Sequence, residues 1–237
     1  MNTALAGTAV ALGTGLASRP LGLLVVLAAL SLLPFVLLLM TSFVKIAVVL
    51  SVLKSALGTS QIPPSQVVTG VALILTLYVM APVGMRMLQA VEPLLGQGAG
   101  ADLLSGQSAE ILATATSKAK EPLREFLLKH ASLRDRAVFH SLALRMRLPE
   151  ERIGISERDF LVVVPAFLTS ELRRAFEIGF LLFLPFLVVD MVIANLLLAL
   201  GMHMLSPTTV SLPFKLLLFV LADGWQLLLR GLVETYI

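Results

Sequence analysis

The sequence predicts an all-α membrane protein: four apolar helical segments, arranged as two kinked hairpins, flanking a polar helical domain. Three observations predict it. The 237-residue chain is 57% hydrophobic and 14% charged, with a mean hydropathy of +0.94, whereas a soluble domain carries about 25% charged residues. Its apolar stretches reach the ~20 residues that one helical crossing needs. The charge is concentrated between the second and third stretches, where residues 92–160 hold ten of the 18 Lys and Arg and ten of the 15 Asp and Glu.

Residues 1–20 form a small, mildly apolar tail whose one charge, Arg19, follows the apolar run rather than preceding it. A secretory signal has the reverse order, so a retained tail is expected. The first apolar stretch, 21–53, is interrupted by Pro34, Thr41, Ser42 and Lys45, and the proline predicts a kink. Gly58 and Pro63-Pro64 mark a turn. An uncharged second stretch, 67–85, closes the first hairpin (21–91) near Pro82 and Gly84.

The polar domain, 92–160, opens with a Gly-rich loop at 96–106. Apolar residues at helical spacing follow, among them Leu123, Phe126, Leu127 and Leu133. Its balanced charges describe a solvated, ion-paired helical unit rather than a polyanion-binding patch. The second hairpin (161–237) begins with a short apolar piece and a charged bridge, in which Glu171–Arg174 and Arg173–Glu177 lie at i,i+3 and i,i+4. A third stretch, 178–202, contains Pro185 and Asp190. A turn leads to the fourth, 212–232, with Lys215, Asp223 and Trp225.

Several function classes lack support. A net charge of +3 without a basic run disfavours nucleic acid. No cysteine is present, so thiol catalysis, disulfides and Cys-ligated metals are excluded. Gly96, Gly98 and Ala101 spell a dinucleotide-like pattern, but no strand precedes them, so a flexible loop is expected. His130, His140 and His203 lack metal-ligand spacing. No catalytic site, cofactor or metal is expected.

The informative residues are charges in apolar surroundings: Lys45, Asp190, Lys215 and Asp223. Ionised groups in hydrocarbon cost at least a few kcal/mol, so they usually face a protein interior, a partner or a water-filled path. Snorkelling of either lysine to the interface is the competing reading. For Asp190, mid-segment on a short stem, a buried partner or an aqueous wall is expected. Met202 and Met204 sit on a hairpin tip, where ordinary packing and a deformable apolar collar are both open.

Longer motifs are more specific. Met40-Thr41-Ser42-Phe43-Val44-Lys45-Ile46, Ala56-Leu57-Gly58 and Met80-Ala81-Pro82 resemble the first hairpin of the flagellar and type III secretion export-gate family (FliP/SctR). Ile178-Gly179-Phe180, Pro185-Phe186-Leu187, Val189-Asp190-Met191, Ser211-Leu212-Pro213-Phe214-Lys215 and Asp223-Gly224-Trp225 resemble its second half. The resemblance covers roughly 21–235.

It implies a core pore-forming subunit that conducts unfolded proteins across the bacterial inner membrane. The subunit would be a multi-pass homo-oligomer, a pentamer in the family, joined by smaller membrane subunits within a basal body, and not an enzyme. The polar domain would be periplasmic. The family's methionine collar falls on Met202, His203 and Met204, and a histidine there would make the seal pH-sensitive. Lys45, Glu177, Asp190, Lys215 and Asp223 fall on family charge positions and imply inter-helix and inter-subunit pairs. Phe43-Val44-Lys45 and Pro122-Leu123-Arg124-Glu125-Phe126-Leu127 favour the injectisome branch over the flagellar one. The alternative from the residues alone is a proton-coupled small-solute transporter using Asp190.

Overall fold

The computed structural model describes residues 20–58, 63–98, 106–148 and 154–237, and these contain helices and connecting turns but no strand. The helices are α1 (Pro20–Leu39), α2 (Phe43–Ala56), α3 (Ser65–Gly98), α4 (Gly106–His130), α5 (Leu133–Arg145), α6 (Phe160–Ala199), α7 (Pro207–Leu221) and α8 (Gly224–Glu234). The all-α membrane class expected from the sequence is what the chain forms. By length and composition α3 and α6 can each cross a bilayer, and α1–α2 and α7–α8 each make one further span if a bent pair counts as one.

The apolar stretches break at only some of the places that the sequence marked. Pro34 lies inside α1 without ending it. The chain instead turns by 70° at Met40–Ser42. There the Thr41 hydroxyl donates to the Leu38 carbonyl at 2.7 Å and accepts from the Phe43 amide at 3.3 Å. A short polar side chain thus competes with the helix for its own backbone groups. Pro82 does not end the second stretch either, because α3 runs through it and Pro93 to Gly98. Gly96 and Gly98 therefore close a helix and Gly106 opens one, while Ala101 lies outside the described residues.

The charged bridge is likewise no interruption. Residues 160–199 form a single 40-residue helix, α6, that absorbs Pro165, Glu171–Glu177 and Pro185. A proline removes one backbone bond, but ending a helix in a membrane would expose several. The fourth stretch is two helices, bent by 62° at Ala222–Asp223.

Two cores organise the fold. The first joins α2, α3, α6, α7 and α8 through Ile46, Val49, Leu50, Leu53, Phe186, Phe219 and Leu228. The second joins α3, α4, α6 and the C-terminal turn through Val83, Phe126, Leu127, Val163, Phe167 and Tyr236. Of the helical stripe expected in the polar domain, Phe126 and Leu127 are buried and Leu133 is exposed. Helix α2 lies flat on α6 because Gly179 has no side chain: a Cβ there would meet all three side-chain carbons of Val52 at 3.0–3.2 Å.

Candidate functional site

The charged residues of the apolar helices gather at two levels along α6. At the first level, Lys45 Nζ lies 3.3 Å from Glu171 Oε2, and both side chains are 0% exposed. The ammonium also sits 3.6 Å above the centroid of the Tyr236 ring, whose face attracts a cation. The Tyr236 hydroxyl donates to the same Glu171 oxygen and lies 3.4 Å from the Ser42 carbonyl. Arg174 Nη1 donates to the other, Oε1, at 3.3 Å. One carboxylate on α6 therefore gathers the start of α2, its own next turn and the C-terminal turn. The Tyr236 ring stacks on Phe126 at 6.0 Å and meets His130 edge-on at 5.0 Å, which adds α4.

Beside Glu171, Asp135 ties the polar domain to α6 through Ser170 and Arg173. Ser132 caps α5, its hydroxyl accepting from the Asp135 amide at 3.0 Å. The Asp135 carboxylate receives Arg173 Nη2 at 2.7 Å, the Ser170 hydroxyl at 2.6 Å and the Ser132 hydroxyl at 2.7 Å. Burial opposes its ionisation, but the bonds from Ser170, Ser132 and Arg173 outweigh that and hold its carboxyl below the ordinary range.

At the second level, Lys215 Nζ on α7 donates to Asp190 Oδ2 at 2.7 Å and to the Ala56 carbonyl at 3.0 Å. The Ser211 hydroxyl donates to the other Asp190 oxygen. Ala56 is the last residue of α2, so its carbonyl has no partner within the helix, and a cation suits that negative end. Gly58 follows in the left-handed region at φ 79°, which favours glycine. A Cβ there would lie 3.6 Å from the Lys215 ammonium.

Neither lysine snorkels: Lys45 is fully enclosed and Lys215 is 3% exposed. Their counter-ions lie on other helices of the same chain. The i,i+3 pair Glu171–Arg174 forms, but Arg173 reaches across to Asp135 rather than to Glu177. Glu177 and Asp223 are not buried in the chain, and among the described residues neither has an ion pair. Met202, His203 and Met204 sit at the α6–α7 tip behind Gly201, and Met204 is 99% exposed. In sequence the tip lies between Asp190 and Ser211 of the second charged cluster.

Sequence reasoning missed Glu171, Tyr236, Asp135 and Ser170 as members of these networks. A signal existed for Asp135, since Ser132-x-x-Asp135 before a helical pattern resembles a capping box. None existed for Tyr236, which meets Glu171 from 65 residues away.

This chain of helices with opposed ion pairs has close relatives. A model described as the FliP family matches residues 26–232. The chain belongs to the FliP family. It is 44% identical over 214 residues to the Hypersensitivity response secretion protein HrcR of Ralstonia nicotianae, covering 90% of this chain and 96% of the relative. It is 46% identical over 217 residues to the Yop proteins translocation protein R of Yersinia pestis, covering 91% and 96%. It is also 46% identical over 213 residues to the Flagellar biosynthetic protein FliP of Pectobacterium carotovorum, covering 90% and 77%.

Two predictions follow from the networks. Asp190→Ala leaves Lys215 enclosed without its counter-ion, and removing one partner of a buried pair costs about 3–5 kcal/mol. A lowered thermal midpoint of the detergent-solubilised chain, largely restored by Asp190→Leu combined with Lys215→Met, is the expected result.

The second concerns acid. Burial, with Lys45, Lys129 and Arg174 nearby, lowers the His130 imidazole from 6.5 to about 4. Between those values the unfolded chain binds a proton that the folded chain refuses. Stability is therefore full above about pH 6.5 and falls as pH drops. The loss from this group reaches roughly 2–3 kcal/mol by about pH 4.5. Thermal melts at several pH values, compared with His130→Gln, should show a shallower acid loss in the variant.

Proposed function

We propose that this chain is a core, pore-forming subunit of a type III export gate, carrying unfolded proteins across the bacterial inner membrane. The observation that carries the reading is family membership over residues 26–232 together with relatives whose names denote secretion and translocation proteins. The structure adds support of a physical kind. Many large apolar side chains are exposed in the isolated chain, including Phe35, Ile74, Leu77, Phe176 and Phe180. Exposed apolar side chains in such number mark contact with lipid or with other protein.

The subunit acts in a homo-oligomer, a pentamer by analogy with the family, joined by smaller membrane subunits of the same apparatus. The polar domain lies on the periplasmic side. Identity is evenly divided between the secretion and translocation relatives and the flagellar one, at 44% and 46% against 46%, and the central-domain motifs favour the injectisome. The chain performs no catalysis in this reading. It shapes a path, and energy enters elsewhere in the apparatus.

Met202, His203 and Met204 form the seal of that path. They project from a tip rather than from a core, and a thioether is soft enough to close around a passing polypeptide and reseal. Restoring secretion to a strain deleted for this gene tests the function. Wild type should restore it, and a chain that inserts stably yet restores nothing would contradict the reading. In the same strain, Met202→Ala with Met204→Ala should retain secretion while the membrane becomes leaky to ions, measured as loss of membrane potential. A tight membrane in that variant would remove the seal from these residues.

A further inference from the structure

A cleft of about 820 Å³ lies between α3, the end of α4 and the C-terminal turn. That size suits a single small molecule or one end of a larger one. Val79, Pro82 and Val83 of α3 and Val233 of α8 give it apolar walls, and Phe126 and Tyr236 line it from the second core. Its charged residues are Arg86 on α3 and Glu125 and Lys129 on α4. Tyr78 and Met85 stand exposed at its edge. His130 also lines it, and burial lowers its imidazole to about 4, so it brings no charge near neutral pH.

The polarity of the cleft is sorted along α3. That helix carries no charge from Ser65 to Met85, so Arg86 marks the end of its apolar run. Glu125 and Lys129 are one turn apart on α4 and share a face, and Arg86 Nη1 lies 3.6 Å from Glu125 Oε2. The three charges therefore form one cluster where α3 leaves the hydrocarbon. Val79, Pro82 and Val83 lie one to two turns earlier on the same helix, inside the apolar run.

The cluster is loosely held. The Arg86 and Glu125 side chains are 52% and 60% exposed, and a pair this open contributes little. Lys129 Nζ donates to the Ile237 main-chain carbonyl at 3.0 Å, and an ammonium has three donors. A headgroup of matching charge can re-pair these groups at little cost. Two cations suit a phosphate, and a carboxylate one turn away suits a primary ammonium. A helix, from a second copy or another polypeptide, spreads its side chains along its whole length. Charge confined to one end of an apolar cleft follows the order of a phospholipid instead, and basic pockets between membrane helices hold lipid headgroups.

We propose that this cleft binds a phospholipid with an amine headgroup, its phosphate between Lys129 and Arg86, its ammonium on Glu125 and an acyl chain along the α3 wall. The site requires only that α3 spans a bilayer, and it is independent of the gate reading.

Native mass spectrometry of the purified full-length chain, released from micelles containing one added lipid at a time, reads binding. The probes are phosphatidylethanolamine, phosphatidylcholine and phosphatidylglycerol with identical acyl chains. Phosphatidylethanolamine should bind roughly tenfold tighter than phosphatidylcholine, whose methylated nitrogen has no N–H to donate, and tighter than phosphatidylglycerol, which has no ammonium. Glu125→Gln should erase the preference over phosphatidylcholine, and Lys129→Gln should weaken both lipids roughly tenfold. Ala81→Trp, which fills the cleft from its α3 wall, should weaken all three. These positions are exposed, so the lipid-free thermal midpoint should not move.

Equal retention of the three lipids, tightest binding of phosphatidylglycerol, a preference that survives Glu125→Gln or binding untouched by Ala81→Trp overturns the proposal. Lipid kept by the monomer but lost from self-associated chains would give the cleft to a second copy, and overturns it as well.

Discussion

Helix α2 is fastened to α6 at both of its ends, and the rest of the molecule is arranged around that clamp. At its start Lys45 meets Glu171, and at its end the Ala56 carbonyl is held by Lys215, which Asp190 holds in turn. Between the two ends, Gly179 lets the helix backbones approach over Val52. Glu171 and Asp190 are 19 residues apart on a continuous helix, or roughly 28 Å at 1.5 Å per residue. That is close to the thickness of a bilayer's hydrocarbon core, about 30 Å. The clamp thus places ionised groups near the two faces of a spanning stretch. Arg173, Arg174 and Glu177 fall in the first two turns of the interval between them, and from 178 to 189 it is apolar.

Each level recruits a further element. Glu171 draws in the C-terminal turn through Tyr236, and next to it Asp135 fastens the polar domain through Arg173 and Ser170. Asp190 draws in α7 through Lys215 and Ser211. A buried ion pair is weak evidence of stability, since an apolar pair of the same volume often does as well. It does specify a register, because a shifted helix would strand an unpaired charge. For a subunit that presents faces to several neighbours, fixed register is the property that matters. Glu177 and Asp223, which do not enter the clamp, lie on the outside of the chain.

Much of this was legible in the amino-acid sequence. The helical class, the apolar stretches and the unusual placement of Lys45, Asp190 and Lys215 follow from residue types and spacing, and the longer motifs carry the family resemblance. Their partners were not legible, because Glu171 reads as part of a solvated bridge until α2 is laid against it, and Tyr236 reads as an unremarkable end residue. The breaks were misread for a different reason. Pro82 was expected to close the second stretch and does not, and Pro34 and Pro185 also lie within continuous helices, since losing one backbone bond is cheaper than exposing a whole turn to hydrocarbon. The actual corners fall at Thr41-Ser42 and at Asp223, where polar side chains or a left-handed backbone redirect the chain without any proline.

The clamp can be measured directly by a double-mutant cycle on Lys45 and Glu171, using Lys45→Met, Glu171→Leu and the pair, with unfolding free energies taken in detergent micelles. Each single variant leaves a charge enclosed without its counter-ion. Each should therefore lose about 3–5 kcal/mol, while the double variant loses much less than the sum. Losses that simply add would mean that the two residues act independently and that the pair does not fasten α2 to α6.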